Sequence, residues 1–145
     1  MRRSDSGWKN DRPFVERSTI VRVRYAETDA MGWVYYANYL TYFEVGRTEL
    51  IRDVWRPYRQ MESDGMRLPV IEAGCRYIRG ARYDDELRVE TRMSCPTSYR
   101  VHFEYRILDP TDGQVLATGF TQHCFVNTDG KLIKVPVELK SMVSS

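Results

Sequence analysis

Residues 25–44 read YAETDAMGWVYYANYLTYFE, and they mark the change from strand to helix that determines the fold. Before them, residues 18–25 alternate apolar and charged side chains, which is the period of a half-buried strand. From about residue 37 to 55, apolar residues recur at spacings of three, four and seven, the period of an amphipathic helix. Asp29 and Gly32 stand in the short turn between these two elements. The block therefore predicts a strand, a turn and a long helix.

The predicted helix contains Gly46, which costs about 1 kcal/mol relative to alanine at such a position. A glycine retained there indicates that another group approaches the helix backbone closely. We expect a strand, and the alternative is the tail of a ligand. Pro57 cannot continue the helix, although residues 58–65 can form one further turn that ends at Gly65.

The remainder of the chain reads as sheet. Four segments alternate apolar and polar residues, and turns at 109–113 (DPTDG) and at Asp129-Gly130 join neighbours closely enough to make them antiparallel. The predicted strands are residues 86–95, 99–107, 115–127 and 131–135. No βαβ repeat occurs, so the expected class is α+β, with one long central helix wrapped by a curved antiparallel sheet of five or six strands.

The chain is expected to form one domain over residues 18–145, preceded by a flexible N-terminal extension over residues 1–17 in which Trp8 and Phe14 are docking points. Its 22 basic and 20 acidic residues are interspersed, which argues against a nucleic-acid partner. No apolar run reaches the roughly 18 residues of a membrane span, and the N-terminus lacks the apolar segment of a signal peptide. We therefore expect a cytoplasmic protein.

Three separated cysteines and two histidines provide neither a disulfide framework nor a metal-ligand motif, so no metal is expected. The candidate chemistry lies instead at Asp29 and the helix start. Residues 33–36 include no usual capping side chain, which would leave the first N–H groups of the helix free to hold a substrate carbonyl. Asp29 can attack that carbonyl or activate water, or it can simply stabilise the turn. Two alternatives would occupy the helix start: Asn38 as N-cap, or a capping box from Thr41 to Glu44.

Residues 24–44 resemble hotdog-fold acyl-CoA thioesterases of the 4-hydroxybenzoyl-CoA thioesterase group, close to its YbgC-type members. Segments 81–87 (ARYDDEL), 117–121 (ATGFT) and 125–130 (FVNTDG) are also similar to that family, and the resemblance covers residues 19–139. It implies a hotdog fold, with Asp29 as the catalytic acid and the main-chain N–H of Tyr36 as oxyanion donor. Position 36 is often histidine in YbgC-type proteins and is tyrosine in the 4-hydroxybenzoyl type.

The resemblance further implies an acyl pocket and a homodimer or homotetramer, with no cofactor beyond the coenzyme A of the substrate. The residues expected at the acyl pocket are Gly32, Val34, Asn38, Tyr39 and Phe43. A coenzyme A phosphate requires a basic rim, for which the candidates are Arg79, Arg82, Arg100 and Lys131.

The predicted function is hydrolysis of an acyl-CoA to free acid and coenzyme A. One alternative is a thioesterase acting on acyl carrier protein, and another is a non-catalytic module that binds acyl thioesters. Glu44 is the rival for the carboxylate role, with a solvated helix side chain as its plainer interpretation. A dehydratase is disfavoured because neither histidine lies in the strand-turn-helix block.

Overall fold

The computed structural model describes residues 8–143, and its elements follow the predicted order of strand, long helix and sheet. In chain order they are β1 Val15–Arg22, a 3-10 turn Tyr25–Glu27, α1 Asn38–Val54, α2 Tyr58–Ser63, β2 Val70–Tyr77, β3 Glu86–Ser94, β4 Arg100–Leu108, β5 Val115–Val126, β6 Leu132–Ile133 and α3 Val137–Ser141.

All pairings between these strands are antiparallel, in the order β1-β3-β4-β5-β2, and β6 pairs with β5. The long helix α1 lies over β1, β3 and β4. Hairpin turns join β3 to β4 and β4 to β5, as their short connections predict. The predicted α+β class, with one central helix and a six-stranded antiparallel sheet, is confirmed.

The core lies between α1 and the inner face of the sheet. Phe43 of α1 stacks on Tyr105 of β4, with ring centroids 4.3 Å apart and ring planes within 7°. At Gly46, an added Cβ would lie 2.4 Å from Thr91 Oγ1 and 2.8 Å from Val89 Cγ1, both on β3. The close neighbour predicted for this glycine is therefore a strand, and the ligand-tail alternative is wrong.

The N-terminal boundary differs from the prediction. β1 begins at Val15 and pairs with β3 from Val15 opposite Met93 to Arg22 opposite Glu86, so residues 15–17 belong to the sheet. Trp8 is buried, with the Arg92 guanidinium 4.1 Å from a ring centroid. The predicted extension is therefore wrong for residues 15–17, because they pair with β3, and residues 1–7 lie outside the described residues.

β2 is an edge strand, since it pairs only with β5. Its sequence, VIEAGCRY, has no regular alternation, and most of its side chains are exposed. Within residues 8–143, no helix is long and apolar enough to cross a membrane. In the same range, no group of three or more His, Cys, Asp or Glu side chains is placed to hold a metal ion.

Candidate active site

The turn before α1 folds as a narrow loop tied at its base. Thr28 and Val34 form an antiparallel bridge, and the N–H of Asp29 donates to the carbonyl of Trp33 at 2.7 Å. Gly32 adopts φ +86°, a left-handed conformation that glycine accepts without steric cost. The loop therefore brings residues 28 and 34 together and leads directly into the helix.

Asp29 lies next to the base of this loop, one residue after Thr28, and is half-buried. Its Oδ1 accepts hydrogen bonds from the main-chain N–H of Met31 at 2.9 Å and of Trp33 at 3.1 Å. Among the described residues, Oδ2 has no hydrogen-bond partner. One oxygen thus stabilises the turn, as the plainer interpretation of this residue expects, and the other is left for a second role.

The helix start carries no side-chain cap. The N-cap residue is Ala37, whose side chain accepts no hydrogen bond. Asn38 is the first helical residue, and its Nδ2 donates to the carbonyl of Glu27 at 2.8 Å. The two capping alternatives are therefore wrong: Asn38 is not the N-cap, and the helix begins three residues before Thr41. Between residues 8 and 143, no acceptor binds the N–H of Tyr36 or of Ala37.

A cleft of about 230 Å³ is lined in part by Tyr36, one of the two residues whose N–H is free. The hydroxyl of Tyr77, on the edge strand β2, donates to the main-chain carbonyl of Tyr36 at 2.9 Å. Burial and a hydrogen bond with Cys75 raise the pKa of Tyr77 to about 12. The residues that line the cleft are Val34, Tyr36, Tyr39, Tyr77, Ile78, Arg79 and Gly80.

The predicted site residues divide into two groups. Val34, Tyr36, Tyr39 and Arg79 line the cleft, whereas Asp29, Gly32, Asn38 and Phe43 do not. Phe43 is fully buried against β4 and does not reach the cleft of the single chain, so its place in an acyl pocket stays a prediction. Glu44, the rival carboxylate, is exposed.

The four predicted phosphate-binding cations do not form one rim. Arg79 pairs with Asp109 at 3.3 Å, and the guanidinium of Arg82 lies 3.7 Å from the ring centroid of Trp33. On β5, Arg100 pairs with Cys124, whereas Tyr77 of the cleft pairs with Ala117. These two positions are seven residues apart, a distance of about 23 Å at the strand rise of 3.3 Å per residue. Lys131 follows β5 at that same far end. The register of the sheet thus separates Arg100 and Lys131 from the cleft.

Glu27 is a site residue that sequence reasoning missed. Its carbonyl accepts the N–H of Tyr35 at 2.8 Å as well as the Asn38 side chain, and its carboxylate accepts the hydroxyl of Tyr42 at 2.8 Å. Burial opposes ionisation, yet hydrogen bonds from Arg24 and Tyr42 hold the pKa of Glu27 below its ordinary value. Glu27 therefore holds the chain on both sides of the Tyr36 peptide. The sequence did give one indication of this role, because Glu27 lies two residues before the candidate catalytic residue Asp29.

One long helix packed on a curved six-stranded antiparallel sheet is the architecture of the hotdog class of proteins. Within that class, the chain belongs to the Thioesterase-like superfamily, whose family model matches residues 23–143. The predicted family, the hotdog fold and a thioester hydrolase are thereby confirmed at the level of the family.

Individual relatives agree with this assignment. The acyl-CoA thioesterase YbgC of Haemophilus influenzae is 37% identical over 92 residues, which are 63% of this chain and 68% of that protein. The crystal structure of a DHNA-CoA thioesterase from Staphylococcus aureus is 32% identical, with a TM-score of 0.77 over 82% of this chain and 80% of the other. A 1,4-dihydroxy-2-naphthoyl-CoA thioesterase from Synechocystis shares the fold at 20% identity, with a TM-score of 0.83 over 89% and 96% of the two chains.

Proposed function

We propose that this protein hydrolyses acyl-CoA thioesters to a free acid and coenzyme A. The observation that carries the proposal is the unpaired N–H of Tyr36, which faces no acceptor within residues 8–143 and belongs to a residue lining the cleft. The positive end of the α1 dipole adds to the attraction for a developing oxyanion. Removing one such donor typically lowers the rate about a hundredfold to a thousandfold.

Asp29 supplies the second part of the proposed chemistry, although it lies outside the lining of the single-chain cleft. In one route, its free Oδ2 attacks the thioester carbon, the C–S bond breaks, the thiolate of coenzyme A leaves, and water then opens the mixed anhydride. In the other route, Asp29 takes a proton from water as the water adds to that carbon and the thiolate leaves. A thiolate leaves without strong acid assistance, so neither route needs a histidine or any cofactor beyond the coenzyme A of the substrate.

A second copy of the chain completes the proposed enzyme. β2 presents an unpaired edge, and exposed apolar side chains lie on or next to it at Val70, Ile71, Tyr77 and Ile78. Pairing of two β2 edges would bury these side chains, of which Tyr77 and Ile78 line the cleft. Tyr77 belongs to both surfaces, which supports an active site located at the contact between subunits.

The test is release of free thiol from a panel of short, medium, long and aromatic acyl-CoAs and from an acyl carrier protein thioester. Asp29→Asn is expected to lower turnover by orders of magnitude, while Glu44→Gln, its matched control on the exposed face of α1, stays near the parent. Tyr36→Phe is expected to retain most activity, because the donor is a main-chain N–H. Equal activity of Asp29→Asn and the parent would refute the mechanism.

The same panel separates the alternatives. Turnover of the carrier-protein thioester, with no turnover of any acyl-CoA, would show that the substrate is an acyl carrier protein thioester. Acyl-CoA binding without turnover by any variant would favour the non-catalytic module. Oxygen-18 from labelled water found in the Asp29 carboxylate after a single turnover would identify the route through direct attack.

A further inference from the structure

A second and larger cleft, of about 420 Å³, opens on the outer face of the sheet, away from α1. Side chains alternate along β4, so His102 and Glu104 face outward while Phe103 and Tyr105 face the core. The segment before β1 crosses this outer face and forms one wall of the cleft. None of its lining residues lines the cleft beside Tyr36.

The charges around the outer cleft favour an anion. Lys9, Arg12 and Arg76 contribute three cationic side chains to its lining, against one carboxylate, Glu104. That carboxylate is already bound by the N–H of Lys9 at 2.5 Å and by the side-chain amide of Asn10 at 2.7 Å. Within the described part of the chain, Arg76 forms no ion pair. A ligand carrying negative charge would therefore meet a positive surface with one cation available to pair with it.

Two aromatic rings, those of Phe120 and His102, line the outer cleft. Phe120 lies over Gly74, where an added Cβ would come within 2.5 Å of Phe120 Cε1, so the glycine leaves room for the ring. The His102 ring lies parallel to that of Phe120 within 13°, at a centroid distance of 5.9 Å. His102 Nδ1 is buried, and the side chain of Gln122, opposite His102 on β5, is its polar neighbour: no hydrogen bond within 3.5 Å joins them, yet Gln122 opposes the fall that burial causes in the His102 pKa. An aromatic pair of this kind accepts a further planar ring by stacking.

We propose that the outer cleft is a binding site for a planar aromatic carboxylate, with the ring on Phe120 and His102 and the carboxylate against Arg76. The volume of about 420 Å³ lies within the range of small-molecule sites in proteins. This site is separate from the proposed hydrolytic cleft, and it requires no turnover.

The test is isothermal titration calorimetry of the full chain with three probes. 2-Naphthoate has both the ring and the charge, 2-naphthamide has the ring alone, and cyclohexanecarboxylate has the charge without a planar ring. Saturable binding of 2-naphthoate is expected, with both other probes weaker by about tenfold or more. Equal affinity for all three probes, or absence of saturable naphthoate binding, would overturn the proposal.

Two variants and one control assign the location. Arg76→Gln is expected to weaken naphthoate binding about tenfold and Phe120→Leu several-fold. The control is Arg59→Gln, which removes one exposed positive charge of α2 that does not line the outer cleft and is expected to bind as the parent does. In the parent, naphthoate should shift the amide resonances of residues 118–120. Shifts confined to residues 34–39 and 77–80, or parent-like binding by Arg76→Gln, would place the ligand elsewhere and overturn the proposal.

Discussion

His123 provides a quantitative prediction about stability. The residue is fully buried on β5. Its Nδ1 lies 3.1 Å from the carbonyl of Leu68, and its Nε2 lies 2.8 Å from Thr121 Oγ1, which in turn lies 2.7 Å from the hydroxyl of Tyr105. A neutral imidazole that donates from Nδ1 and accepts at Nε2 satisfies this chain of hydrogen bonds. Protonation would place a charge in the core without an anionic partner.

Burial, together with the nearby positive charges of Arg47 and His102, lowers the pKa of His123 from 6.5 to about 4. The unfolded chain therefore binds the proton more readily than the folded chain between these two values. Stability is fully present above pH 6.5 and is lost as the pH falls toward 4. The integrated loss is about 3 kcal/mol, of which about 2 kcal/mol falls between roughly pH 7.5 and pH 5.

The measurement is urea unfolding, followed by tryptophan fluorescence, of the parent and of His123→Gln near those two pH values. Other titrating groups contribute to both proteins, so the difference in their pH dependence isolates His123. The parent is expected to lose about 2 kcal/mol more than the variant on acidification. His102→Gln, a control at the other histidine, should reduce the pH dependence less. Equal slopes for the parent and His123→Gln would refute the account of a buried neutral imidazole.

Two further predictions concern α1. Gly46→Ala gains about 1 kcal/mol of helix propensity, but its Cβ would overlap Thr91 Oγ1. Thermal unfolding should therefore show a net loss of stability of about 1–2 kcal/mol. A variant more stable than the parent would show that β3 moves aside at no cost in free energy. Glu27→Gln and Tyr42→Phe weaken the contact that holds the chain beside Tyr36, so both are expected to lower kcat about tenfold with little change in KM. An unchanged kcat in Tyr42→Phe, the variant that keeps the ring, would refute a positioning role for the contact between Tyr42 and Glu27.

The sequence predicts the strands and helices that bury one face and expose the other. The alternation predicts β3 and β4 correctly because one face of each strand packs on α1. Gly46 correctly indicates a close neighbour of the helix because a glycine inside a helix costs stability. β2 was not predicted as a separate strand, because an exposed edge strand has no need to alternate. Tyr77, which completes the cleft, was missed together with the strand that carries it.

The site was predictable where function depends on local chain geometry. The turn at Asp29 and the uncapped helix start follow from adjacent residues, whereas the placement of Arg79 and Arg100 at opposite ends of the sheet follows from strand register. The role of Glu27 depends on Tyr42, 15 residues further along the chain, and no sequence period connects them.

The uncapped start of α1 has a thermodynamic consequence for ligand discovery. The N–H groups of Tyr36 and Ala37 have no acceptor within residues 8–143, and a bound oxygen acceptor there would add a hydrogen bond typically worth about 1 kcal/mol. A molecule that supplies such an acceptor binds the folded chain and not the unfolded one, so its binding raises the melting temperature of the chain. Unreactive thioester analogues can then be ranked by thermal shift, with no turnover required.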